Sequence, residues 1–322
     1  MNENVKKLVE GKVPNLPNSL DYSMFSKYLL CPRYFFYKYI ACLDCVGNSF
    51  PLDLVFGSAW HNGLEEGYLA MRDGVLDPEE LTDLSIKAFN KKWESKLPKD
   101  FSDYDLNSFY PKTPGTAEDL LHMYWTRYDD THRSLTIVEP EKKFYLPTGL
   151  GMPLIHGTID LVYKDGQNIL SVMEHKTTKS ASRLWVDGFY NSFQVEMYSL
   201  AILIMEGVVP LVMVNAALFQ KKSQDIFKFP VFKRQDVLHR FFLELQYNMQ
   251  LLKQDTERLI KEVSSGDPIQ TAFPRRQGSC MLYGRKCPYF DFCSCDLKPY
   301  QISDSLGVSF KISDIEIHYG GE

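Results

Sequence analysis

The chain lacks an excess of positive charge. Its 322 residues include 36 Lys and Arg against 41 Asp and Glu, which gives a formal net charge of −5. Such a balance creates no general attraction to polyanions, so a nucleic acid would have to be met by a local basic patch. Patches of this size are more often ordinary solvated surface. The candidates are Lys176/Lys179/Arg183, Lys221/Lys222, Lys233/Arg234 and Arg275/Arg276.

The chain also lacks a segment suited to entering a membrane. The N-terminal sequence MNENVKKLVEGKVPN has no apolar signal-peptide core. The most apolar stretch, 199–219, is interrupted by Glu206, Gly207 and Pro210. We therefore expect a cytoplasmic protein that makes no membrane contact. The seven cysteines are then expected to be thiols or metal ligands, because disulfides seldom persist in a reducing compartment.

Repeats, low-complexity segments and the sequence G-x-x-x-x-G-K-[ST] are absent too, so ATP-driven unwinding would need a partner protein. What the chain does have is 44% hydrophobic residues, enough for a sizeable core. Helical patterns come first, and strand-like runs follow from residue 135: LTIVEPEKKFYLP, MPLIHGTIDLVYK and NILSVMEHK. A helix, two strands and a long helix come next. This order predicts an α/β fold with a mixed central sheet flanked by helices.

Changes in this pattern predict four regions along the chain. They are a helical region at 1–134 carrying Cys31 and His61, a core at 135–265, a cysteine-rich lobe at 266–298 and a tail at 299–322. Pro32 removes a backbone donor, so Cys31 is expected at a helix end. Ser58 is expected to cap the helix that carries His61.

Three charged residues lie at the ends of two neighbouring predicted strands: Asp160, Glu174 and Lys176. Burying an unpaired charge is costly, so their placement needs a reason. Glu174 and Lys176 share a strand face because they are two residues apart. A two-residue turn at Asp165-Gly166 would put Asp160 on the other face. Cooperation therefore requires a connection of three or five residues, or a bulge, and we predict that irregularity.

Two converging carboxylates would form a hard oxygen site for Mg²⁺ or Mn²⁺. Such an ion polarises a phosphoryl oxygen and lowers the pKa of a bound water. Lys176 would then orient or activate that water and stabilise negative charge on the phosphate. The spacing alone fits an ordinary Glu/Lys pair at the solvent edge of a strand equally well.

The segments GTIDLVY, MEHK and QVEMY resemble the PD-(D/E)XK nuclease superfamily, and within it the RecB-like branch that includes the AddB nuclease domain and the nucleases of CRISPR adaptation. The similarity spans roughly residues 20–296, although no Pro precedes Asp160. The branch's motifs occur here in order, as a helix His, a strand Asp, an E-x-K and a Q-x-x-x-Y: His61, Asp160, Glu174, Lys176, Gln194 and Tyr198.

This resemblance implies a restriction-endonuclease-like core and a catalytic site made of the strand and Q-x-x-x-Y residues. The metal ligands it implies are His61, Asp160 and Glu174. Gln194 and Tyr198 are four residues apart on one helix face, where they would hold Lys176 or contact the DNA backbone. Without the resemblance, ordinary helix packing explains that pair, and a lone helical His is more often a core or surface residue.

A cysteine cluster near the C-terminus is a second signal. Cys280, Cys287 and Cys293 place three thiols within 14 residues, which is typical of a metal site. The RecB-like resemblance adds Cys31 in LLCPRYFFYKY and implies a structural 4Fe–4S cluster with these four ligands. Four thiolates also suit tetrahedral zinc, which is the runner-up. Cys295 is then the spare cysteine, and the Cys42-x2-Cys45 pair is more simply read as two thiols without a metal.

The function that the sequence indicates is a deoxyribonuclease that depends on Mg²⁺ or Mn²⁺ and acts as an exonuclease on DNA ends or single strands. A helicase, or a protein of recombination or CRISPR adaptation, is the expected kind of partner. One alternative is a DNA-binding or partner-binding module whose active site is retired, stabilised by zinc or an iron–sulfur cluster. Another is a structural zinc protein with incidental carboxylates. The intact motif residues argue against a retired site.

Overall fold

The computed structural model describes residues 3–45, 51–97, 109–149, 151–266 and 269–294, and the backbone of 310–312. Cys295 and most of the tail at 299–322 lie outside the described residues, as does the side chain of Cys45. The chain divides into two compact units. The terminal unit comprises 1–49, 145–157 and 242–322, and the central unit comprises 50–144 and 158–241. The predicted boundaries at 134, 265 and 298 remain predictions.

The described helices are α1 Glu3–Val9, α2 Tyr22–Leu30, α3 Pro32–Phe35, α4 Leu52–Arg72, α5 Pro78–Glu94, α6 Pro114–Arg127, α7 Asp129–Arg133, α8 Arg183–Asp187, α9 Phe193–Glu206, α10 Gln235–Ser264 and α11 Phe290–Ser294. The described strands are β1 Ser19–Asp21, β2 Leu43–Cys45, β3 Thr136–Leu146, β4 Leu154–Lys164, β5 Leu170–Thr178, β6 Leu211–Phe219, β7 Gln224–Phe232 and β8 Phe310–Ile312. Short turns of π- or 3₁₀-helix are Phe36–Ile40, Gly188–Asn191, Gln277–Ser279 and Leu282–Gly284.

The main sheet is mixed, as predicted. Strands β4, β5, β6 and β7 follow one another in that order, and β3 also pairs with β4. The β4–β5 and β6–β7 pairs are antiparallel, whereas β5 and β6 run parallel with helix α9 between them in sequence. Among the described strands β7 is an edge, and it contains Pro230, which has no N–H to offer. The prediction of an α/β fold with helices around a mixed sheet is confirmed.

One face of this sheet packs against α4, α5 and α6. Odd-numbered strand residues such as Met173 and Phe219 join a buried cluster with the aromatic side chains of those helices. The helices approach closely, because Gly67 of α4 has no room for a Cβ against the Trp125 ring of α6. The large aromatic members are Phe56, Trp60, Tyr68, Phe89, Trp93, Tyr124 and Trp125. This cluster fixes the helix that carries His61.

Helix α4 begins earlier than its sequence suggests. It starts at Leu52 after Pro51, so Ser58 lies inside it and the prediction of a Ser58 cap is wrong. His61 consequently lies near the middle of a long, rigid helix. Helix α9 ends at Gly207, whose φ of +76° closes the helix in a left-handed conformation.

In the terminal unit, α2 and α3 are joined to the C-terminal segment by buried polar bonds. Cys31 separates the two helices with an extended φ of −161°, and Pro32 starts α3, so the expected helix end is confirmed. Tyr28 donates a hydrogen bond to Asp255 at 2.8 Å. The guanidinium of Arg33 donates to two backbone carbonyls of the C-terminal segment, at 2.8 and 3.0 Å. These bonds bring Cys31 next to a segment some 240 positions later in the sequence.

In the same unit β1 runs parallel to the first residues of β4, with Ser19 opposite Leu154, and β2 pairs with β8. No helix in the described ranges is long and apolar enough to cross a membrane.

Candidate active site

The β4–β5 connection sets which charged residues share a face. Lys164 pairs with Leu170, so five residues form the connection and even-numbered positions oppose even-numbered ones. Asp165 stabilises this loop, since its side chain accepts hydrogen bonds from Gln167 N and Ile169 N, each at 2.9 Å. The predicted irregularity is confirmed. In this register Asp160 lies on the same face as Glu174.

Asp160 is held by two elements at once. Its Oδ2 accepts a hydrogen bond of 2.6 Å from the backbone N–H of His175, and its Oδ1 lies 3.4 Å from His61 Nδ1. Burial by itself would raise the pKa of Asp160, but the His61 imidazole beside it lowers that pKa to about 2. Burial opposes protonation of His61, yet the Asp160 carboxylate raises the imidazole pKa to about 9. In the absence of a metal, the pair is an ion pair at neutral pH.

Glu174 is a buried carboxylate that lies close to the charges of Asp160 and Lys176. Its side chain is 1% exposed, and neither oxygen accepts a well-aligned hydrogen bond from the described residues. The ammonium of Lys176 lies against Oε1. Burial, and then the negative charge of Asp160, raise the pKa of Glu174 to about 7. A buried polar group left in this state is costly, and it marks a position where a cation would be stabilised.

A hydrogen-bonded chain leads from Lys176 to helix α9. Lys176 Nζ donates to Gln194 Oε1 at 2.8 Å, and Gln194 Nε2 donates to Tyr198 Oη at 2.8 Å. Tyr198 is buried next to Glu174, and burial followed by that carboxylate raises the tyrosine pKa well above its ordinary value. The two helix residues thus share one face, as their spacing predicts, and they fix the position of the lysine.

Glu141 is a site residue that the sequence reasoning missed. It lies in β3 with a φ of +48°, a left-handed conformation that is uncommon for a non-glycine residue. One ligand atom each from His61, Glu141 and Asp160 lie within 4.8 Å of one another. Burial and the Asp160 charge raise the pKa of Glu141 to about 7. Its torsion breaks the strand's alternation of faces, so no sequence period could have placed it here.

A cavity of about 320 Å³ opens beside this group, lined by Ser58, His61, Asn62, Glu65, Lys92 and Glu141.

His175 contributes through its backbone and steadies the strand through its ring. Its Nδ1 pairs with Asn215 Nδ2 at 2.8 Å, and the ring stacks on Tyr68 with centroids 5.6 Å apart. Burial lowers the pKa of His175 to about 3, so the ring is neutral. This ring points to the face opposite Glu174, which is why sequence reasoning centred on Glu174 and Lys176 did not identify it.

The central unit therefore brings together the residues that the motifs predict, and their chemistry suits a divalent cation. Carboxylate oxygens are the ligands that Mg²⁺ prefers, and an imidazole nitrogen is also acceptable to Mn²⁺. A metal ion here would place its charge next to the unsatisfied oxygens of Glu174. Lys176 adds a fixed positive charge at the same point.

The terminal unit brings the four predicted cysteines close together. The backbone N–H of Arg276 points to Cys31 Sγ at 3.5 Å, and Cys287 N donates to Cys280 O at 2.8 Å. Burial raises the pKa of Cys293 to about 11, and the Cys287 and Cys31 thiols push it in the same direction. Burial also raises the pKa of Cys287, with the Cys31 and Cys280 thiols adding to it. The four thiols are thus within electrostatic reach of one another.

Among the described cysteines, no three have all their sulfurs within 4.8 Å of one another. Cys42 is held elsewhere in the unit, where Asn4 donates to its sulfur at 3.8 Å.

Comparison with known proteins points to the part of the chain that contains these residues. A family model of the PD-(D/E)XK nuclease superfamily matches residues 19–294, a range that contains every candidate residue named above. Among solved structures, the chain is similar to a "Putative exonuclease" from Eubacterium rectale, with 12% identity, a TM-score of 0.43 and coverage of 84% of this chain and 88% of that chain. It is also similar to the protein SSO0001, with 12% identity, a TM-score of 0.29 and coverage of 76% and 83%. At such TM-scores neither likeness bears on activity. No curated protein matches the chain.

Proposed function

This chain belongs to the PD-(D/E)XK nuclease superfamily, and on that premise we propose that it is a DNA nuclease that requires Mg²⁺ or Mn²⁺. It hydrolyses phosphodiester bonds at DNA ends or in single strands. The observation that carries the proposal is Glu174, a buried carboxylate that lies against the Lys176 ammonium and on the face that Asp160 and Lys176 share. An ordinary edge pair of Glu and Lys would be solvated.

The ligands of the catalytic ion are His61, Asp160 and Glu174, and Glu141 joins them. Three of these residues, His61, Glu141 and Asp160, already place ligand atoms within 4.8 Å of one another, and Glu174 would join them from the face that it shares with Asp160. When bound, the ion polarises a phosphoryl oxygen and lowers the pKa of a bound water. The protein's own part is to keep Asp160 ionised and oriented, through the His175 N–H at 2.6 Å.

Lys176 is the catalytic lysine. Gln194 holds its ammonium at 2.8 Å, and Tyr198 in turn holds Gln194. In this position the ammonium orients the attacking water and stabilises the negative charge that develops on the phosphate. The contact between the lysine and the Q-x-x-x-Y residues supports the assignment to the RecB-like branch. Unwinding of a duplex would come from a partner such as a helicase or a recombination or CRISPR protein, since no ATP-binding P-loop occurs in the sequence.

We also propose that Cys31, Cys280, Cys287 and Cys293 hold a structural 4Fe–4S cluster, with zinc as the runner-up. The resemblance to the RecB-like branch favours the iron–sulfur cluster, although four thiolates also suit tetrahedral zinc. The N–H of Arg276 supplies a donor to Cys31 Sγ of the kind that stabilises bound thiolates.

The test is digestion of end-labelled single-stranded and duplex DNA with Mg²⁺ or Mn²⁺. Wild type is compared with Asp160→Ala, Lys176→Ala and the control Lys87→Ala, an exposed lysine of α5. Loss of one electrostatic donor costs roughly 3 kcal/mol of barrier, so Lys176→Ala should be about 150-fold slower than Lys87→Ala. Equal digestion by all four proteins would refute the assigned site. Binding without digestion by the wild type would favour a DNA-binding module.

A further inference from the structure

An aromatic cluster lies on the surface of the central unit, and we call it the aromatic platform. It consists of Trp185 of α8, Phe189 of the following turn, and Phe227 and Phe229 of β7. Trp185 and Phe189 meet edge to face with centroids 4.8 Å apart, and Phe189 lies 5.4 Å from Phe229. Trp185 lies 6.1 Å from Phe227. All four rings are only partly buried, although residues of this size usually form cores.

Strand pairing puts the platform on the same face as the catalytic residues. Glu174 pairs with Val214, and Val214 pairs with Phe229. Lys176 pairs in the same way with Ala216, and Ala216 with Phe227. Directly paired residues point to one side of a sheet, so the two phenylalanines share the face of Glu174 and Lys176. Two strand spacings separate them, which is about 10 Å.

The platform is held in place by polar contacts around α8. Ser182 caps the helix by accepting a hydrogen bond from Trp185 N at 3.3 Å. Lys233, which is nearly buried, donates to the backbone carbonyl of Tyr190 and forms an ion pair of 2.9 Å with Glu196 of α9. Because these contacts already fix the rings, a ligand that binds to them would cost the protein little side-chain conformational entropy.

Exposed apolar and basic side chains border the platform. Leu184 is 84% exposed and Tyr190 is 49% exposed, which extends the apolar surface well beyond a single residue. The Lys179 and Arg183 side chains are 63% and 93% exposed, although Lys179 lies 3.8 Å from Asp53 and Arg183 lies 3.6 Å from Asp187. Lys221 and Lys222 are exposed in the β6–β7 turn. That turn is tied to the end of β5 by a hydrogen bond of 2.9 Å from Gln220 to Lys179 O.

We propose that the aromatic platform is a base-stacking subsite for single-stranded nucleic acid. Proteins that bind single strands combine aromatic faces for the bases with cations along the backbone, and both are present here. Bases of an intact duplex are stacked on one another and are not available to these rings. This inference rests on the proposed nuclease function, and it specifies single-stranded nucleic acid as the form of substrate that binds at the proposed catalytic face.

The position of the platform favours nucleic acid over a protein partner. The platform phenylalanines lie about 10 Å from Lys176, across two strand spacings. Successive nucleotides of a single strand are several ångströms apart, so a strand with one phosphate at Lys176 would bring its next few bases to the platform. The flanking charges also match a polyanion, since Lys179, Arg183, Lys221 and Lys222 outnumber Asp53 and Asp187, the acidic residues that lie against two of them.

The experiment measures affinity for a labelled oligothymidylate by fluorescence anisotropy in an Asp160→Ala background. Gel analysis of the same samples reports any cleavage separately. Trp185→Ala should weaken binding about 5- to 150-fold, the loss that one base–aromatic stack accounts for. Trp185→Phe keeps an aromatic face and should restore most of the affinity. Tyr247→Ala removes an exposed aromatic residue of α10 and should leave it unchanged.

Intrinsic fluorescence gives a second readout that a merely structural role would not affect. The other three tryptophans, Trp60, Trp93 and Trp125, are at most 2% exposed, so quenching by added oligothymidylate should come from Trp185 and disappear in Trp185→Phe. A blunt duplex should bind with less than threefold change in Trp185→Ala. Unchanged single-strand affinity in Trp185→Ala, or quenching that persists in Trp185→Phe, would overturn the platform. A wild type that binds through it but digests no DNA would overturn the nuclease instead.

Discussion

Glu141 shows what one backbone torsion does at the scale of the residue. Its φ of +48° directs the carboxylate to His61 and Asp160 instead of following the face that its strand position implies. A non-glycine residue in this conformation is held there at a cost of about 1 to 3 kcal/mol by its surroundings. Such strain is common where a side chain must be aimed at a functional group, and here the group is the proposed ion site.

Glu141→Gln should weaken metal binding at the proposed site while leaving the fold intact. The amide keeps the shape but removes the negative charge, so the Mn²⁺ concentration for half-maximal activity should rise about 10- to 100-fold. The measurement is a metal titration of nuclease activity, with Glu139→Gln as the control on the same strand. Glu139 forms an ion pair with Lys142 at 2.8 Å and makes no contact in the proposed site. Identical titration curves for both variants would remove Glu141 from the ligand set.

At the scale of elements, α7 packs a neutral histidine against strand β7. His132 is buried, and its Nε2 lies 3.3 Å from the ammonium of Lys228. Burial, and then the charge of Lys228, lower the pKa of His132 from 6.5 to about 2. Burial lowers the pKa of Lys228 to about 7, while the ammonium lies 3.9 Å above the Tyr128 ring. A positive charge on His132 and one on Lys228 would therefore destabilise each other.

The contribution of His132 to stability should therefore fall on acidification below pH 6.5. The folded pKa of His132 is depressed, so its contribution is complete above the unfolded value and is lost as the pH falls and the unfolded chain takes up the proton. Between pH 6.5 and pH 5 the loss is about 2 kcal/mol. Urea unfolding at pH 7.5 and 5.0 measures it. His132→Phe should lose this part of the pH dependence, whereas the exposed His122→Phe should keep it. Parallel pH profiles for the two variants would contradict the assignment.

The elements could be predicted from the sequence where local rules decide their limits. They could not be predicted where packing overrides those rules. The requirement that Asp160 and Glu174 share a face predicted a β4–β5 connection of three or five residues, or a bulge, and the structure has five. The start of α4 did not follow from Ser58, because Phe56 belongs to the buried aromatic cluster and its burial favours an earlier helical turn. Glu141 could not be found because no composition or period encodes a left-handed strand residue.

At the scale of the whole molecule, the proposed cluster would close a very long loop. Cys31 and Cys280 are about 250 residues apart, and both belong to the terminal unit. Treated like a disulfide closure, such a constraint stabilises the folded chain by on the order of 5 kcal/mol. That is comparable with the total stability of many domains, so the cluster is expected to be required for folding.

Cys31→Ala should therefore be colourless and unstable, whereas Cys42→Ala should be like the wild type. The two cysteines lie in the same unit, and the Cys42 sulfur accepts a hydrogen bond from the Asn4 amide at 3.8 Å. Visible absorption after anaerobic purification, iron and zinc content, and the melting temperature are the measurements. Full iron content with an unchanged melting temperature in Cys31→Ala would refute the ligand assignment. Stoichiometric zinc in the colourless wild type would replace iron by the runner-up.

The edge strand β7 has a consequence for how copies of this chain behave in crowded solution. An open sheet edge invites a foreign strand to continue the ladder, and exposed aromatic residues beside it add to that risk of self-assembly. Pro230 removes one donor from this edge, opposite Met213 of β6, and a proline interrupts the regular hydrogen bonding that an added strand needs. The proline thus makes continuation of the sheet by a second copy less favourable at the edge beside the proposed catalytic face.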